Sequence, residues 1–331
     1  SISLSANWMW PCRAQEGEDA RLYKAVKALS DFCCELQINV PTGKDSLSMT
    51  QKYHDGKKII APGTVIVSSG GEVSDIRKVV SPVIKNMADS RLYYIDFSFD
   101  KLQLGGSAFA QSQGKVGSDV PTVKNAEYFR DAFMAIQQLV NEGLVLAGHD
   151  ISAGGIITTL LEMCFANTKG GLDLCFDKIQ EADIVKILFA ENPGVVIQVS
   201  DANAPRAKKI LEDAGVAYAK IGKPAEGREI TIHKNISNAQ VPNAKIADRD
   251  MVFTFDIDAL RDVWYSTSYL LDRRQSFNGK ADERYANYKN IPVEWTVSGE
   301  PLTKTPRPEG RRPVAAIIRE KGTNSEREMA W

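Results

Sequence analysis

The stretch from Leu144 to Phe165 constrains the fold of this chain most. Its first four residues are apolar and predict a short buried strand, and an acid, a hydroxyl and two glycines follow within residues 150–155. Apolar side chains then recur at helical spacing, which predicts a helix with Ser152 as its N-cap. The stretch therefore predicts a strand that enters a helix through a polar, glycine-rich turn.

Two interpretations of this turn carry equal weight on its chemistry alone. The free N–H groups and the dipole at a helix N-terminus favour an anion, so the turn can hold a phosphate. Asp150 can then hold a Mg²⁺ that bridges phosphates. In the other interpretation, Asp150 and Ser152 only cap the helix, as is common at tight β–α turns.

A second polar segment, residues 41–46, follows a short predicted strand at residues 38–40. Gly43 lets a backbone approach an oxyanion closely, and Lys44 adds a flexible positive charge. Asp45 and Ser46 can hold a metal or hydrogen-bond a ligand. The upstream glycine of a P-loop is missing, and a plain polar β-turn is the simpler explanation of these residues taken alone.

Composition excludes several classes of function. Lysine and arginine total 41 residues against 42 acids, which argues against a nucleic-acid surface or an anionic membrane as partner. We find no transmembrane run and no signal peptide. The five cysteines form no CxxC pair, so we interpret them as buried thiols of a cytosolic protein rather than as metal ligands.

Helical and strand patterns alternate along the chain, which indicates an α/β or α+β class. Strands are predicted at residues 2–7, 47–53, 64–69, 92–97, 172–176, 194–199, 216–221, 229–233 and 313–318. Helices are predicted at residues 17–37, 105–111, 125–141, 182–189, 204–214 and 256–274, and in part at 74–86. The last long helix is expected to turn Leu260, Val263, Trp264, Thr267, Leu270 and Leu271 inward.

Several of these segments together resemble a known family. They are residues 5–9 (SANWM), 17–20 (GEDA), 41–49 (PTGKDSLSM), 148–165 and 319–329 (REKGTNSEREM). In this order they resemble the large, single-chain form of phosphoribosylformylglycinamidine synthase. The resemblance covers essentially the whole chain.

The resemblance implies an architecture in four parts. The family has two tandem units like aminoimidazole ribonucleotide synthetase, each with an A and a B subdomain, and then a class I glutaminase domain. Here it implies a truncated second A subdomain (1–90), the second B subdomain (91–275), a linker (276–312) and the start of the glutaminase domain (313–331). The chain starts within a strand pattern and stops within a charged helical start, which we interpret as two cuts in a longer polypeptide.

The resemblance also implies a reaction. The family uses ATP, Mg²⁺ and glutamine to convert formylglycinamide ribonucleotide to the amidine in purine biosynthesis. ATP phosphorylates the amide oxygen, and ammonia from glutamine displaces the phosphate. The family's catalytic histidine and the glutaminase cysteine, histidine and glutamate fall outside this chain, so we expect it to be inactive without the rest of the polypeptide. No nucleic acid or membrane is expected as a partner.

Site residues follow from the matched motifs. Asp150 corresponds to a magnesium ligand and Ser152 to an ADP or ATP contact, at an auxiliary nucleotide site that is structural in the large enzymes. Gly43 corresponds to an ATP contact and Ser46 to a contact of the ribonucleotide substrate, with Asp45 as a neighbour. Lys44 stands where the small relatives have a metal-binding asparagine, and we assign it to phosphate because a protonated lysine cannot ligate Mg²⁺. The family usually has an acid at the position of Ala153.

Two alternatives and one physical expectation remain open. The chain can be an independent ATP-using kinase or synthetase of the same superfamily, or a non-catalytic scaffold with a decayed nucleotide site. The resemblance implies that A subdomains pair through their sheets. Because exposed strand edges tend to pair with other chains, we expect self-association or a partly disordered N-terminal region.

Overall fold

The structure is a computed structural model, and it describes residues 2–12, 15–73, 75–236, 249–290 and 316–317. Its strands are Ile2–Met9 (β1), Asn39–Ser46 (β2), Thr50–Lys52 (β3), Lys58–Ile60 (β4), Thr64–Gly71 (β5), Ser90–Asp96 (β6), Val145–Asp150 (β7), Gly171–Cys175 (β8), Gly194–Ser200 (β9), Tyr218–Ala225 (β10), Glu229–Ile236 (β11) and Arg249–Asp256 (β12). Its helices are Glu18–Leu36 (α1), Ala108–Ser112 (α2), Ala126–Asn141 (α3), Gly155–Phe165 (α4), Ile184–Phe189 (α5), Ala204–Asp213 (α6), Ile257–Gln275 (α7) and Lys280–Asn287 (α8). The chain divides into two compact units, Ser1–Leu270 and Leu271–Trp331.

A three-stranded sheet forms the N-terminal part of the first unit. Its order is β2-β1-β5, with β1 parallel to β2 and antiparallel to β5. Strands β3 and β4 form a hairpin, as the sequence His54-Asp55-Gly56-Lys57 between them predicts, and the Tyr53 N–H donates to the Lys57 carbonyl at 2.8 Å. All eight residues of β5 are exposed. The edge of this sheet is therefore open to solvent.

A seven-stranded sheet forms the centre of the first unit, in the order β12-β11-β8-β10-β6-β9-β7. Every neighbouring pair is antiparallel except β8 and β11, which are parallel. Two apolar clusters pack against it. The larger cluster joins α4 and α5 to the sheet through residues such as Leu160, Met163 and Phe176, and the other joins α3 and α6 through Leu139 and Leu211.

The segment between the two sheets differs from its prediction. Residues 74–86 were expected to be partly helical, and the structure shows no helix in the described residues 75–89. The backbone is satisfied by other partners instead: the Gly148 N–H donates to the Ser81 carbonyl at 3.1 Å, and the Ile84 N–H to the Met163 carbonyl at 3.0 Å. The Gln198 side chain accepts from the Lys85 N–H and donates to the Lys85 carbonyl, both at 2.8 Å. These tertiary bonds override the local helical pattern.

The long helix α7 lies where it was predicted, but most of the apolar side chains that were predicted to face inward are exposed. Ile257 is the one residue of α7 that is fully buried, and Leu260 packs against the larger cluster. Val263, Trp264 and Leu270 are each more than half exposed. The apolar stripe is therefore covered only where the first turns of the helix lie against the sheet. The preceding strand β12 was not predicted, although it pairs with β11 over its whole length.

The predicted linker, residues 276–312, contains a helix. Helix α8 begins after Gly279 and is tied to α7 by Arg284, whose Nε and Nη2 atoms each lie 2.7 Å from the Asp272 carboxylate. Residues 280–287 of the predicted linker are therefore helical rather than extended. Residues 291–315 and 318–331, with the predicted glutaminase strand, lie outside the described residues, and the four-part division stays a prediction. Among the described helices, none has the length and apolar character that crossing a membrane needs.

The cysteines are free thiols, as predicted, but not all of them are buried. Cys33 and Cys164 are buried, whereas Cys34 and Cys175 are exposed and Cys12 is half-buried. Cys34 follows Cys33 on α1, so the two side chains point about 100° apart around the helix and cannot both face the sheet. Burial raises the pKa of the Cys164 thiol to about 12.

Candidate functional site

The turn from Asp150 to Gly155 joins β7 to α4 as predicted, but its cap differs. The N-cap is Gly154, with φ 91° and no side-chain cap, and Ser152 is exposed. The Ser152 carbonyl accepts the Gly155 N–H at 3.0 Å. Two successive glycines with positive φ move the start of the helix beyond Ser152. The prediction that Ser152 caps the helix is therefore wrong, and its hydroxyl stays free of that role.

Gly155 is required by close packing of α4 on α5. Its φ is 72°, and a Cβ atom there would lie 2.6 Å from the Leu188 carbonyl oxygen and 2.8 Å from the Phe189 Cα. No side chain fits at these distances. The second glycine of the motif therefore has a structural task, independent of any ligand.

Glu191 occupies the position that the sequence analysis assigned to an anion. Its Oε1 atom accepts the Gly154 N–H and the Ala108 N–H, both at 2.8 Å. Gly154 lies at the N-terminus of α4 and Ala108 is the first residue of α2. No local sequence signal predicts this role of Glu191, because its two donors lie 37 and 83 residues away along the chain.

Asp150 ends β7 with its side chain 71% exposed. Its Oδ1 atom lies 3.1 Å from His149 Nδ1, and His149 Nε2 lies 3.1 Å from Glu162 Oε2. Trp264 Nε1 donates to Glu162 Oε1 at 2.9 Å. The Thr159 hydroxyl fixes the backbone by donating to the Asp150 carbonyl at 2.9 Å. Asp150 is thus oriented from one side and open on the other.

An apolar groove of about 300 Å³ opens beside Asp150. The segment before β6 contributes Val80 and Pro82, and α3 contributes Ile136 and Val140. Helical spacing predicts that Ile136 and Val140 share one apolar face of α3, and the structure leaves both half-buried. The fully buried stripe of α3 is Ala132, Ala135 and Leu139, beside the predicted one. The half-buried stripe is what leaves room for the groove.

The GKDS segment is not a turn. Residues 43–46 lie in β2, where Gly43 pairs with Ala6 and Ser46 with Met9 in a parallel ladder. A Cβ atom on Gly43 would lie 2.9 Å from the Ala6 carbonyl oxygen. The predicted β-turn is therefore wrong, because pairing with β1 holds the segment extended.

Within the described residues, the side chains of this segment hydrogen-bond only to atoms of the segment itself. Lys44 Nζ donates to the Asp45 carbonyl at 3.2 Å and to the Ser46 hydroxyl, and Lys44 and Asp45 are both exposed. In the adjacent strand β1, the Asn7 side-chain oxygen is buried and has no hydrogen-bond partner within the described residues. A ligand bound here could therefore donate a hydrogen bond to the Asn7 side-chain oxygen.

The two groups of predicted site residues lie on different sheets. Gly43, Lys44, Asp45 and Ser46 share β2, whereas Asp150 and Ser152 lie at the end of β7, and no hydrogen bond or ion pair between described residues joins the groups. The described part of the chain contains no cluster of three or more His, Cys, Asp or Glu side chains that would hold a metal alone. The ligand roles of these six residues stay predictions.

Comparison with known proteins agrees with this fold. Residues 1–72 match the family model of the FGAR-AT PurM_N-like domain, and residues 91–235 match that of the AIR synthase related protein, C-terminal domain. Among solved structures, PurL of Thermotoga maritima complexed with FGAR superposes with a TM-score of 0.55 at 14% identity, over 78% of this chain and 39% of that one. The same protein complexed with ATP gives a TM-score of 0.53 at 13% identity, over 78% and 37%. These likenesses confirm the predicted fold class: the chain is an α/β protein with domains related to AIR synthase.

A curated relative narrows the class to a family. The chain is 33% identical over 335 residues to the probable phosphoribosylformylglycinamidine synthase, chloroplastic/mitochondrial, of Arabidopsis thaliana. The match covers 99% of this chain and 22% of the relative. The chain belongs to the phosphoribosylformylglycinamidine synthase family, as its motifs predicted, and spans about a fifth of the length of this relative.

Proposed function

We propose that this chain supplies a magnesium–nucleotide site to a phosphoribosylformylglycinamidine synthase. The whole enzyme would use ATP and glutamine to convert formylglycinamide ribonucleotide to its amidine, and the chain would need the rest of that polypeptide for activity. Family membership supports the reaction, and the names of the solved relatives record complexes with ATP, ADP and FGAR. The five cysteines are free thiols, which favours a reducing compartment such as the cytosol, although the Arabidopsis relative is named chloroplastic/mitochondrial.

The observation that carries this proposal is the exposed Asp150 carboxylate at the mouth of an apolar groove. A groove of about 300 Å³ is at the lower end of the volumes that hold small ligands, and it suits a flat apolar base. Mg²⁺ is usually held by one or two carboxylates together with substrate phosphates, so Asp150 alone fits as a protein ligand. Bound Mg²⁺ would neutralise phosphate charge. Ser152 is exposed two residues further on and can donate its hydroxyl to a phosphate oxygen.

The GKDS segment would serve the phosphate and the ribonucleotide. Lys44 is exposed and can offset the charge of a phosphate, and the exposed backbone at Gly43 would contact ATP. Ser46 and Asp45 would hydrogen-bond the sugar hydroxyls of the substrate. Because Lys44 already contacts Ser46, a phosphate that binds Lys44 would free the Ser46 hydroxyl for the substrate.

Calorimetric titration with Mg-ADP tests the proposal, first with this chain and then with the full-length enzyme. We expect Asp150→Asn to weaken Mg-ADP binding by about 10- to 100-fold, the range typical of disturbed metal sites, and not to weaken metal-free ADP binding, because it removes a carboxylate that repels phosphate. Glu226→Gln is the matched control, because it removes one exposed negative charge from the turn between β10 and β11. Equal Mg-ADP affinity in Asp150→Asn and the control would contradict the proposal. If neither the chain nor the full-length enzyme binds Mg-ADP, the non-catalytic scaffold is the better explanation.

A further inference from the structure

We infer that Glu191 is a positioning residue: its carboxylate serves as a built-in anion that closes the N-terminus of α4 and fixes the Asp150–Gly155 turn. A nucleotide phosphate at this turn then binds on the side of Asp150 and Ser152, not at the Gly154 N–H. The part of this inference that concerns nucleotide rests on the proposed function. The part that concerns the closed helix end rests on the geometry alone.

The contacts of Glu191 are those of an anion at a helix end. One carboxylate oxygen accepts two backbone N–H groups at 2.8 Å, from Gly154 and from Ala108. Hydrogen bonds to an ionised acceptor are about twice as strong as neutral ones, and negative charge is favoured at a helix N-terminus. A phosphate gains its affinity for a helix end from the same two features.

The residues beside Glu191 hold its backbone in place. Asn192 is 1% exposed, and its Oδ1 accepts the Gln103 N–H at 3.0 Å while its Nδ2 donates to the Lys101 carbonyl at 3.0 Å. The Pro193 carbonyl accepts the Phe97 N–H at 2.9 Å, and the Gly194 carbonyl accepts the Ile151 N–H at 2.8 Å. Glu191 therefore projects from an anchored segment, and its carboxylate loses little further freedom on reaching the turn.

A phosphate at the Gly154 N–H would have to displace this tethered carboxylate and would lie beside its negative charge. Both effects oppose binding there. The exposed Ser152 hydroxyl lies before Gly154, beside the exposed Asp150 carboxylate, and can donate to an incoming phosphate there. Glu191 thus steers phosphate toward the position where a Mg²⁺ on Asp150 can reach it.

Amide hydrogen exchange of the full chain tests the closed helix end without any nucleotide. In Glu191→Ala we expect the amides of Gly154 and Ala108 to exchange about tenfold faster than in the wild type, because each loses a charge-assisted hydrogen bond. Glu191→Gln keeps an acceptor oxygen without the charge, and we expect an intermediate rate. Glu181→Ala is the matched control, because Glu181 Oε1 also accepts two backbone N–H groups, from Ala182 and Asp183. Its loss should leave the exchange rates of the Gly154 and Ala108 amides unchanged.

Added anions give a second readout. Acetate and inorganic phosphate, compared with chloride at equal ionic strength, should slow the exchange of the Gly154 amide in Glu191→Ala and have no effect in the wild type. If Glu191→Ala does not fold, the same comparison is made between Glu191→Gln and the wild type.

Unchanged exchange in the Glu191 variants, or an equal effect of anions on wild type and variant, would overturn the inference. If Glu191→Ala shows anion-dependent protection while the wild type binds no Mg-ADP, the closed helix end stands and the proposed function fails. If the wild type binds Mg-ADP and the exchange rates are unchanged, the proposed function stands and the inference fails.

Discussion

The two motif regions of this chain resemble the same family, yet they differ in how they are supported. Eight of the eleven residues of α4 are buried, and the turn before it is fixed by Glu191, Thr159 and His149. The GKDS segment lies on β2, an edge strand with seven of its eight residues exposed. Its side chains contact mainly one another. The difference teaches that the residue 148–165 motif is held in shape by its own domain. The shape of the GKDS segment depends instead on any protein segment that packs on the three-stranded sheet.

The largest expected effect on stability comes from substitution of Gly155, in the better supported region, which is α4 and the turn before it. Gly155→Ala forces a Cβ against the Leu188 carbonyl at a positive φ, and we expect a loss of about 2–4 kcal/mol in the free energy of unfolding. Gly143→Ala is the matched control, with φ 69° and nothing within 4 Å of the added Cβ, and should cost about 1 kcal/mol. Urea denaturation measures both. Equal losses would show that packing of α5 on the turn contributes nothing beyond backbone strain.

Thiol labelling compares local opening in the two regions directly. Cys33 is 5% exposed on α1, beside the three-stranded sheet, and Cys164 is 0% exposed on α4. Burial raises the pKa of both thiols. In a Cys34→Ser background we expect iodoacetamide to label Cys33 about tenfold faster than Cys164, because weakly supported regions open more often. Equal rates by peptide mass spectrometry would mean that both regions open together.

Self-association should depend on the exposed sheet edge. Val65, Ile66 and Val67 of β5 are all exposed, and charged residues on an edge strand discourage strand pairing. We expect the wild-type chain to dimerise and Ile66→Lys to raise the dimer dissociation constant about tenfold, equivalent to about 1.4 kcal/mol. Met134→Lys, at an exposed apolar position on α3, should leave it unchanged. A wild-type chain that is monomeric by sedimentation equilibrium would contradict this expectation.

The smallest expected effect on stability comes from a surface ion pair between Arg206 of α6 and Glu142, the C-cap of α3. Arg206 Nη2 lies 2.7 Å from Glu142 Oε1, and this bond, with one from Gln138, lowers the pKa of Glu142 to about 2 from its usual 4.5. A depressed folded-state pKa adds stability that is complete above pH 4.5 and is lost as the pH falls toward 2. Arg206→Gln should therefore flatten the fall in stability across this window. Arg130→Gln, on the surface of α3, should not; a similar flattening there would point to a general charge effect.

The sequence predicted the elements whose signals are local. Helices α1, α3 and α6 follow from apolar periodicity, and Asn125 caps α3 with its side chain, which accepts the Tyr128 N–H at 3.0 Å. Strand β7 and helix α4 were also found where expected. These features depend on residues within a few positions of one another, so the pattern contains the information.

The rest depended on distant partners. The segment before β6 is extended because Gln198 bonds it from 113 residues away, and β12 forms by pairing with β11. Ser152 does not cap α4, contrary to the prediction, because the helix begins at Gly155 with Gly154 as its N-cap. Glu191 has no sequence signal of its own. In the candidate site, the sequence thus identified the residues that are open to ligand and missed those that hold them in place.

The bonds between Gln198 and Lys85 also determine where a recombinant domain can begin. Residues 91–235 match a family model on their own, but a protein cut at residue 91 would lose the Ser81 carbonyl that binds β7 and the Lys85 backbone that pairs with Gln198. The buried Gln198 amide would be left without these partners, and the outer strand β7 would be open to a neighbouring chain. A separately expressed seven-stranded domain therefore has to start upstream of Ser81.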